Sequence, residues 1–349
     1  MRLSKLFSIP TVVSASVSAG IGAGVCALAI ASAAQAADSN KVLTVYTYDS
    51  FASDWGPGPK IKANFEKTCD CELQYVGLDS SIGILSRTQL EGTSSKADIL
   101  LGLDLNLMDA AKNSGLLVEH GVDTRQVTTP GGWSDTTFVP FDQGYFAFIY
   151  DAEALTAVPT SLQDIVENKA LRVIYQDPRT STPGLGLLLW MKSVYGDQAA
   201  TAWETLASHT VTVTKGWYDG YSLFLKGEAD VVLSYTTSPA YHMVAEGVTK
   251  YQAAPASEGF YPQIEVAAQL RHAPNPELAS QFMQFILTDG FQGEVATGNW
   301  MFPVTELPQA LPEAFATLQQ PTKVLTLSAA DVAQNRRQWV NEWLEATTR

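Results

Sequence analysis

From residue 42 onward, short apolar runs of strand length alternate with longer amphipathic segments, and this alternation restricts the fold more than any other feature. Strands are expected at 42–46, 71–76, 98–101, 173–175 and 231–235. Helices are expected at 61–67, 82–90, 183–195 and 239–245, after a cap at Asn275-Pro276, and from 328 onward. Such alternation is the pattern of mostly parallel α/β sheets flanked by helices. Lys96-Ala97-Asp98-Ile99-Leu100-Leu101 is echoed by Glu228-Ala229-Asp230-Val231-Val232-Leu233. One such segment in each half predicts two α/β lobes of related design. No flexible linker separates them, so two extended hinge strands, near 138–150 and 266–270, are expected to carry the chain across. The first lobe is then discontinuous, 37–143 plus 264–349, with the second lobe, 144–263, inserted in it.

Residues 1–36 read differently. Arg2 and Lys5 precede a small, apolar stretch with no charge before Asp38, ending in Ala34-Gln35-Ala36. This is the make-up of a secretory signal peptide, cleaved before Ala37. Pro10 and the many Ser, Gly and Ala residues leave the stretch too weakly apolar for a spanning helix. A lipoprotein site at Cys26 is not expected, because Val25 stands where a small residue is needed. No second long apolar run follows, so a soluble exported protein is expected. Losing Arg2 and Lys5 takes the formal net charge from −14 to −16. Such an acidic chain argues against nucleic acid and anionic membranes as partners, and suits a cationic ligand. Cys69 and Cys71 remain after cleavage; an even pair in an oxidising compartment suggests a disulfide, but one intervening residue closes a tight ring and leaves the bond open.

Familiar catalytic signatures are missing. Gly220-Tyr221-Ser222-Leu223-Phe224 fails the nucleophile elbow at its last position. Gly184-Leu185-Gly186 lacks the third glycine of a dinucleotide fingerprint, and no glycine-rich loop ends in Gly-Lys. His120, His209, His242 and His272 are scattered, without metal-ligand spacing. No catalytic residue, metal or cofactor is therefore expected, and binding without catalysis leads.

Two kinds of residue stand out instead. Ser181-Thr182-Pro183, Thr237-Ser238-Pro239 and Ser80-Ser81 each put hydroxyls at an expected helix start that follows a strand. Open α/β sheets bind ligands at the carboxyl ends of their strands, and free N–H groups at helix starts favour anions. Aromatic residues gather in the same places: Tyr46, Tyr48, Phe51 and Trp55 in or after the first strand, Trp217 and Tyr218, Tyr235 and Tyr241, and Trp300. Placed in loops, they would stack on a flat cationic ring at ~0.5–2 kcal/mol per contact. Together the two sets ask for an aromatic, cationic ligand that can carry a phosphate.

At this point six stretches resemble the periplasmic thiamine-binding proteins of Gram-negative thiamine ABC importers. They are 43–59 (LTVYTYDSFASDWGPGP), 138–150 (FVPFDQGYFAFIY), 173–189 (VIYQDPRTSTPGLGLLL), 210–217 (TVTVTKGW), 232–242 (VLSYTTSPAYH) and 297–301 (TGNWM). The resemblance implies the type II periplasmic binding fold, two lobes closing over thiamine, thiamine monophosphate or thiamine diphosphate. It also implies a monomer without cofactor that delivers its ligand to a membrane permease with a separate ATPase. Carried over by motif, Ser181, Thr182, Tyr235, Thr236, Thr237 and Ser238 look like ligand-contacting segments of the second lobe, with Trp217 and Tyr241 as aromatic walls. On the first lobe, Tyr48, Trp55 and Trp300 look like aromatic contacts. Ser80-Ser81 stands where the family has an Asp-Gly pair, so contact there falls to the backbone. Two alternatives stay open: a thiaminase-like enzyme on the same fold, using a cysteine, and a binding protein for another solute such as a polyamine or ferric iron.

Overall fold

Ten strands among the described residues, 41–348 of a computed structural model, hydrogen-bond into one sheet. They are β1 (Lys41–Tyr48), β2 (Cys71–Leu78), β3 (Ile99–Asp104), β4 (Phe138–Asp151) and β5 (Val173–Gln176). β6 (Thr210–Thr214), β7 (Val231–Tyr235), β8 (Tyr251–Ala253), β9 (Pro262–Gln269) and β10 (Phe302–Pro303) complete them. The order is β2-β1-β3-β9-β4-β7-β5-β6, with β8 and β10 pairing with β4. The expected leader, its cleavage point at Ala37 and Cys26 lie outside the described residues. No helix among the described residues is long and apolar enough to cross a membrane.

The two ends of the sheet are parallel, as the strand–helix alternation predicts, and the middle is not. β1 runs parallel to β2 and β3, and β5 runs parallel to β6 and β7. β9 is antiparallel to both β3 and β4, and β4 is antiparallel to β7. β4 is long enough to serve two partners. Its first part, from Phe138 to Tyr145, pairs with β9, and Phe146 to Tyr150 pair with β7.

Most expected elements form, with shifted ends. The helix expected at 183–195 runs Thr182–Tyr195 with Ser181 as its cap, and the last runs Ala329–Thr347 from a Ser328 cap. Several expectations need correction. The 239–245 helix is a short Ser238–Tyr241 turn that widens into a π-helical turn, His242–Glu246. Its start carries no side-chain cap; the Ser238 hydroxyl instead meets Ser234 Oγ at 2.7 Å. Asn275 precedes the helix Pro276–Phe285 without capping it, because its amide donates to the Val42 carbonyl at 2.8 Å. Trp217 and Tyr218 open the helix Trp217–Leu225 rather than lying in a loop.

Tyr46 and Phe51, grouped above with the loop aromatics, are core residues. Phe51 meets Tyr75, Phe141 and Phe291 edge-on or tilted, at 5.8–6.3 Å between ring centroids. Burying one such ring stabilises the fold by about 1.5–3 kcal/mol. Beyond the second half of the sheet, Trp190 stacks on Phe260 at 6.1 Å and meets Phe148. The last helix ties distant parts together: its Trp343 indole donates to the Tyr175 hydroxyl at 3.2 Å, and Glu342 pairs with Lys192 at 2.7 Å.

Candidate ligand-binding site

β1, β2, β5, β6 and β7 lead at their carboxyl ends into the segments singled out by sequence. Tyr48 is the last residue of β1. Ser80 caps the helix Ser81–Glu91, accepting from the Gly83 amide at 3.4 Å, and Ser181 caps its helix by accepting from Gly184 at 3.5 Å. The two helix starts meet directly. The Thr182 hydroxyl donates to Ser81 Oγ at 2.9 Å, and Ser81 donates to the Gly102 carbonyl at 2.5 Å. The third hydroxyl segment lies beside them in the fold's second half. Thr236 takes its amide bond to the Tyr145 carbonyl, Thr237 donates to Met301 Sδ at 3.5 Å, and the Thr236 hydroxyl is buried without a hydrogen-bond partner.

The aromatic residues fall into three places. Trp55 and Tyr218 stack on each other at 6.2 Å and are 57% and 64% exposed, so they form an open rim. Asp79 and Lys215 pair at 2.7 Å near them. Trp217 lies deeper, its indole donating to Ser234 Oγ at 2.7 Å and its ring stacked on Tyr221 at 5.1 Å. Tyr241 meets Trp300 edge-on at 5.3 Å. Trp300 is the one non-glycine with positive φ (56°) among the described residues. A bulky residue held there is strained, and such strain gathers at ligand sites. Tyr235 packs on Phe146 at 5.4 Å at the end of β7.

Sequence reading missed the floor beneath these rings. Asp104, Glu265 and Asp142 are opposite one another across β3, β9 and β4, so their side chains share one face of the sheet. Both flanking strands bulge at this level, between Leu101 and Leu103 and between Pro140 and Asp142. A bulge re-aims the side chains beyond it, and without these two the carboxylates would fall out of line. All three are buried. The Tyr48 hydroxyl donates to Glu265 Oε2 at 2.6 Å and accepts from Asn299 Nδ2 at 2.9 Å, and Asn299 also donates to Asp142 Oδ2 at 2.5 Å. Asp142 Oδ1 and Asp104 Oδ2 have no hydrogen-bond partner.

Burial dominates the electrostatics here. It raises Asp104 to about 6 and Asp142 to about 7, against donated hydrogen bonds that act the other way. Glu265 is pushed well above the usual carboxylate range by burial and then by the Asp142 charge. Tyr48 and Tyr235 are raised as well, first by burial and then by Glu265. No pattern in the sequence marks this row, because its members are 38 and 123 positions apart and only the strand pairing joins them.

Cys69 and Cys71 are bonded to each other. Cys71 pairs with Lys41 at the start of β1, whereas Tyr48 sits at its far end. Seven residues of strand separate the two, about 23 Å. A cavity of about 560 Å³ opens elsewhere, between β4, β10 and 305–311, and none of the sequence-derived site residues lines it.

Residues 56–293 match the family of bacterial extracellular solute-binding proteins. The chain belongs to that family. The thiamine-binding periplasmic protein of Escherichia coli (strain K12) is 55% identical over 309 residues, covering 88% of this chain and 94% of the relative. A solved periplasmic thiamin binding protein superposes with a TM-score of 0.87 at 55% identity, covering 89% of this chain and 97% of the other. Apo ferric ion-binding protein A of Pasteurella haemolytica superposes with a TM-score of 0.71 at 17% identity, over 88% of this chain and 98% of that one, a likeness of fold alone.

Proposed function

We infer that this chain is a periplasmic thiamine-binding protein that captures thiamine and its phosphate esters and hands them to an ABC importer. The observation that carries this reading is the 55% identity to the Escherichia coli thiamine-binding periplasmic protein over nearly the whole length of both. The site chemistry agrees with it. A thiazolium cation would sit above buried carboxylates and among aromatic faces, while hydroxyls at two helix starts suit a phosphate or hydroxyethyl oxygen. The function needs no chemical step, only two lobes that grip the ligand together and so favour the closed form.

The leader 1–36 is removed before Ala37, and the mature protein acts as a monomer. Lobe 1 comprises 37–143 plus 264–349 and lobe 2 comprises 144–263, hinged where β4 passes from β9 to β7. Tyr48, Trp55, Ser80, Ser81 and Trp300 contact the ligand from lobe 1. Ser181, Thr182, Trp217, Tyr235, Thr236, Thr237, Ser238 and Tyr241 contact it from lobe 2. A thiaminase reading is disfavoured because the cysteines are bonded to each other at the far end of β1 and β2. A ferric-iron reading is disfavoured because iron needs oxygen ligands, often adjacent tyrosines, and the sequence has no Tyr-Tyr pair.

Native mass spectrometry of the purified mature protein should find thiamine or a thiamine phosphate bound, and calorimetry should return micromolar or tighter affinity for thiamine. Purified protein that binds ferric iron but no thiamine would overturn the assignment.

A further inference from the structure

Tyr48 does not stand alone at the base of the site. Its hydroxyl is fixed by Glu265 and Asn299, and Asn299 in turn holds Asp142. The two carboxyl groups are direct cross-strand neighbours on β4 and β9, and both are buried. Two carboxylates so close and so dry cannot both ionise without a nearby positive charge. The charged and titratable groups facing the pair offer little of it: Asp104 from β3, Tyr48 from β1 and Tyr235 from β7. Arg336, from the last helix, interacts with Asp104, and Gln263 donates a long 3.4 Å bond to Glu265 Oε1. Asp142 Oδ1 accepts from no amide or hydroxyl, and the Asp142 and Glu265 carboxyls lie within hydrogen-bonding reach of each other, so a proton between them would satisfy it.

We propose that Asp142 and Glu265 share one proton in the unliganded protein and release it to solvent when a cationic ring seats against Tyr48. Capture of the cation is thereby coupled to loss of one proton, and Glu265 acts as a positioning residue through Tyr48. The proposal rests on the thiamine reading above. The balance is simple: one carboxylic acid becomes a carboxylate, its proton passes to the buffer, and the ligand's fixed positive charge replaces it. A neutral ring of the same shape gains no such counter-charge.

Calorimetry of the wild-type protein between pH 6 and 8, in buffers of differing ionisation enthalpy, tests this directly. Thiamine is compared with deazathiamine, which keeps the pyrimidine but carries no ring charge, so protons exchanged by the pyrimidine cancel. Thiamine is expected to release between about 0.5 and 1 proton, with affinity tightening roughly tenfold or more across this range, while deazathiamine releases none. Glu265→Gln should abolish both the release and the pH dependence, and Glu265→Asp should restore them. Thiamine binding without proton release, or equal release with both ligands, would overturn the proposal while leaving the thiamine assignment intact. Failure of thiamine to bind at all would overturn both. Should Glu265→Gln not fold, the two-ligand comparison on wild type still decides.

Discussion

At the scale of single residues, Gly102 shows how tightly the site is built. Its φ of +102° lies where side-chain-bearing residues are strained, and it forms the bulge in β3. A Cβ added there would lie 2.5 Å from the Tyr48 ring, while the Gly102 carbonyl accepts the Ser81 hydroxyl. One glycine therefore supports both an aromatic contact and a helix start. Gly102→Ala is expected to cost about 1–3 kcal/mol of stability from the backbone. By displacing Tyr48 it should also weaken thiamine at least tenfold. Gly115→Ala is the control, since φ there is +71° but nothing lies within 4 Å of the new Cβ. Melting and calorimetry of both variants separate the two effects; equal affinities in the two would show that the position of Tyr48 does not matter.

At the scale of elements, the helix Thr182–Tyr195 is almost wholly buried through its first ten residues, so it is held by packing on every side. Its start is then free to be used for binding. Ser181 caps it at 3.5 Å and Thr182 spends its hydroxyl on Ser81, so neither bond is indispensable to the helix. Replacing both by Ala should lower stability by about 0.5–2 kcal/mol through the lost cap. It should weaken thiamine monophosphate more than thiamine, because a hydrogen bond to a charged phosphate is worth ~1.5–3 kcal/mol against ~0.5–1.5 for a neutral partner. Comparing the two ligands on the same double variant cancels the shared stability cost. Equal losses would show that this helix end does not hold the phosphate.

At the scale of the whole molecule, the buried row Asp104, Glu265 and Asp142 makes folding depend on pH. These carboxyls titrate higher in the folded state than in the unfolded chain, so the folded state holds more protons between about pH 4 and 7. Their stabilising contribution is complete below the unfolded value and is lost as pH rises through the folded ones. Partly buried ion pairs such as Asp151 with Lys250 act in the opposite sense, so total stability mixes both. Asp142→Asn isolates the row. Its melting temperature, relative to wild type and without ligand, should climb by several degrees between pH 4.5 and 7.5, each pK unit being worth about 1.4 kcal/mol. A difference that stays constant with pH would show that Asp142 ionises in the folded protein as it does in the unfolded chain.

Local chemistry made much of this protein legible before any fold was known. Short apolar runs and helical patterns marked β1, β2, β3, β5 and β7, and the hydroxyl–proline starts marked the helix at Thr182. These signals work because strand and helix each impose a spacing that a short stretch of residues either matches or does not. Tertiary structure decided the rest. The antiparallel turn of the sheet at β9 and the division of β4 between two partners arise from pairings across 81 residues or more. Tyr46 and Phe51 became core because the side chains that cover them, Glu91 and Arg87 over Tyr46 and Phe141 and Phe291 against Phe51, lie far away in the chain. The carboxylate row is the clearest case. Each member is an ordinary acidic residue in its own segment, and only two bulges and an antiparallel register bring the three together in a dry place where their charge has consequences.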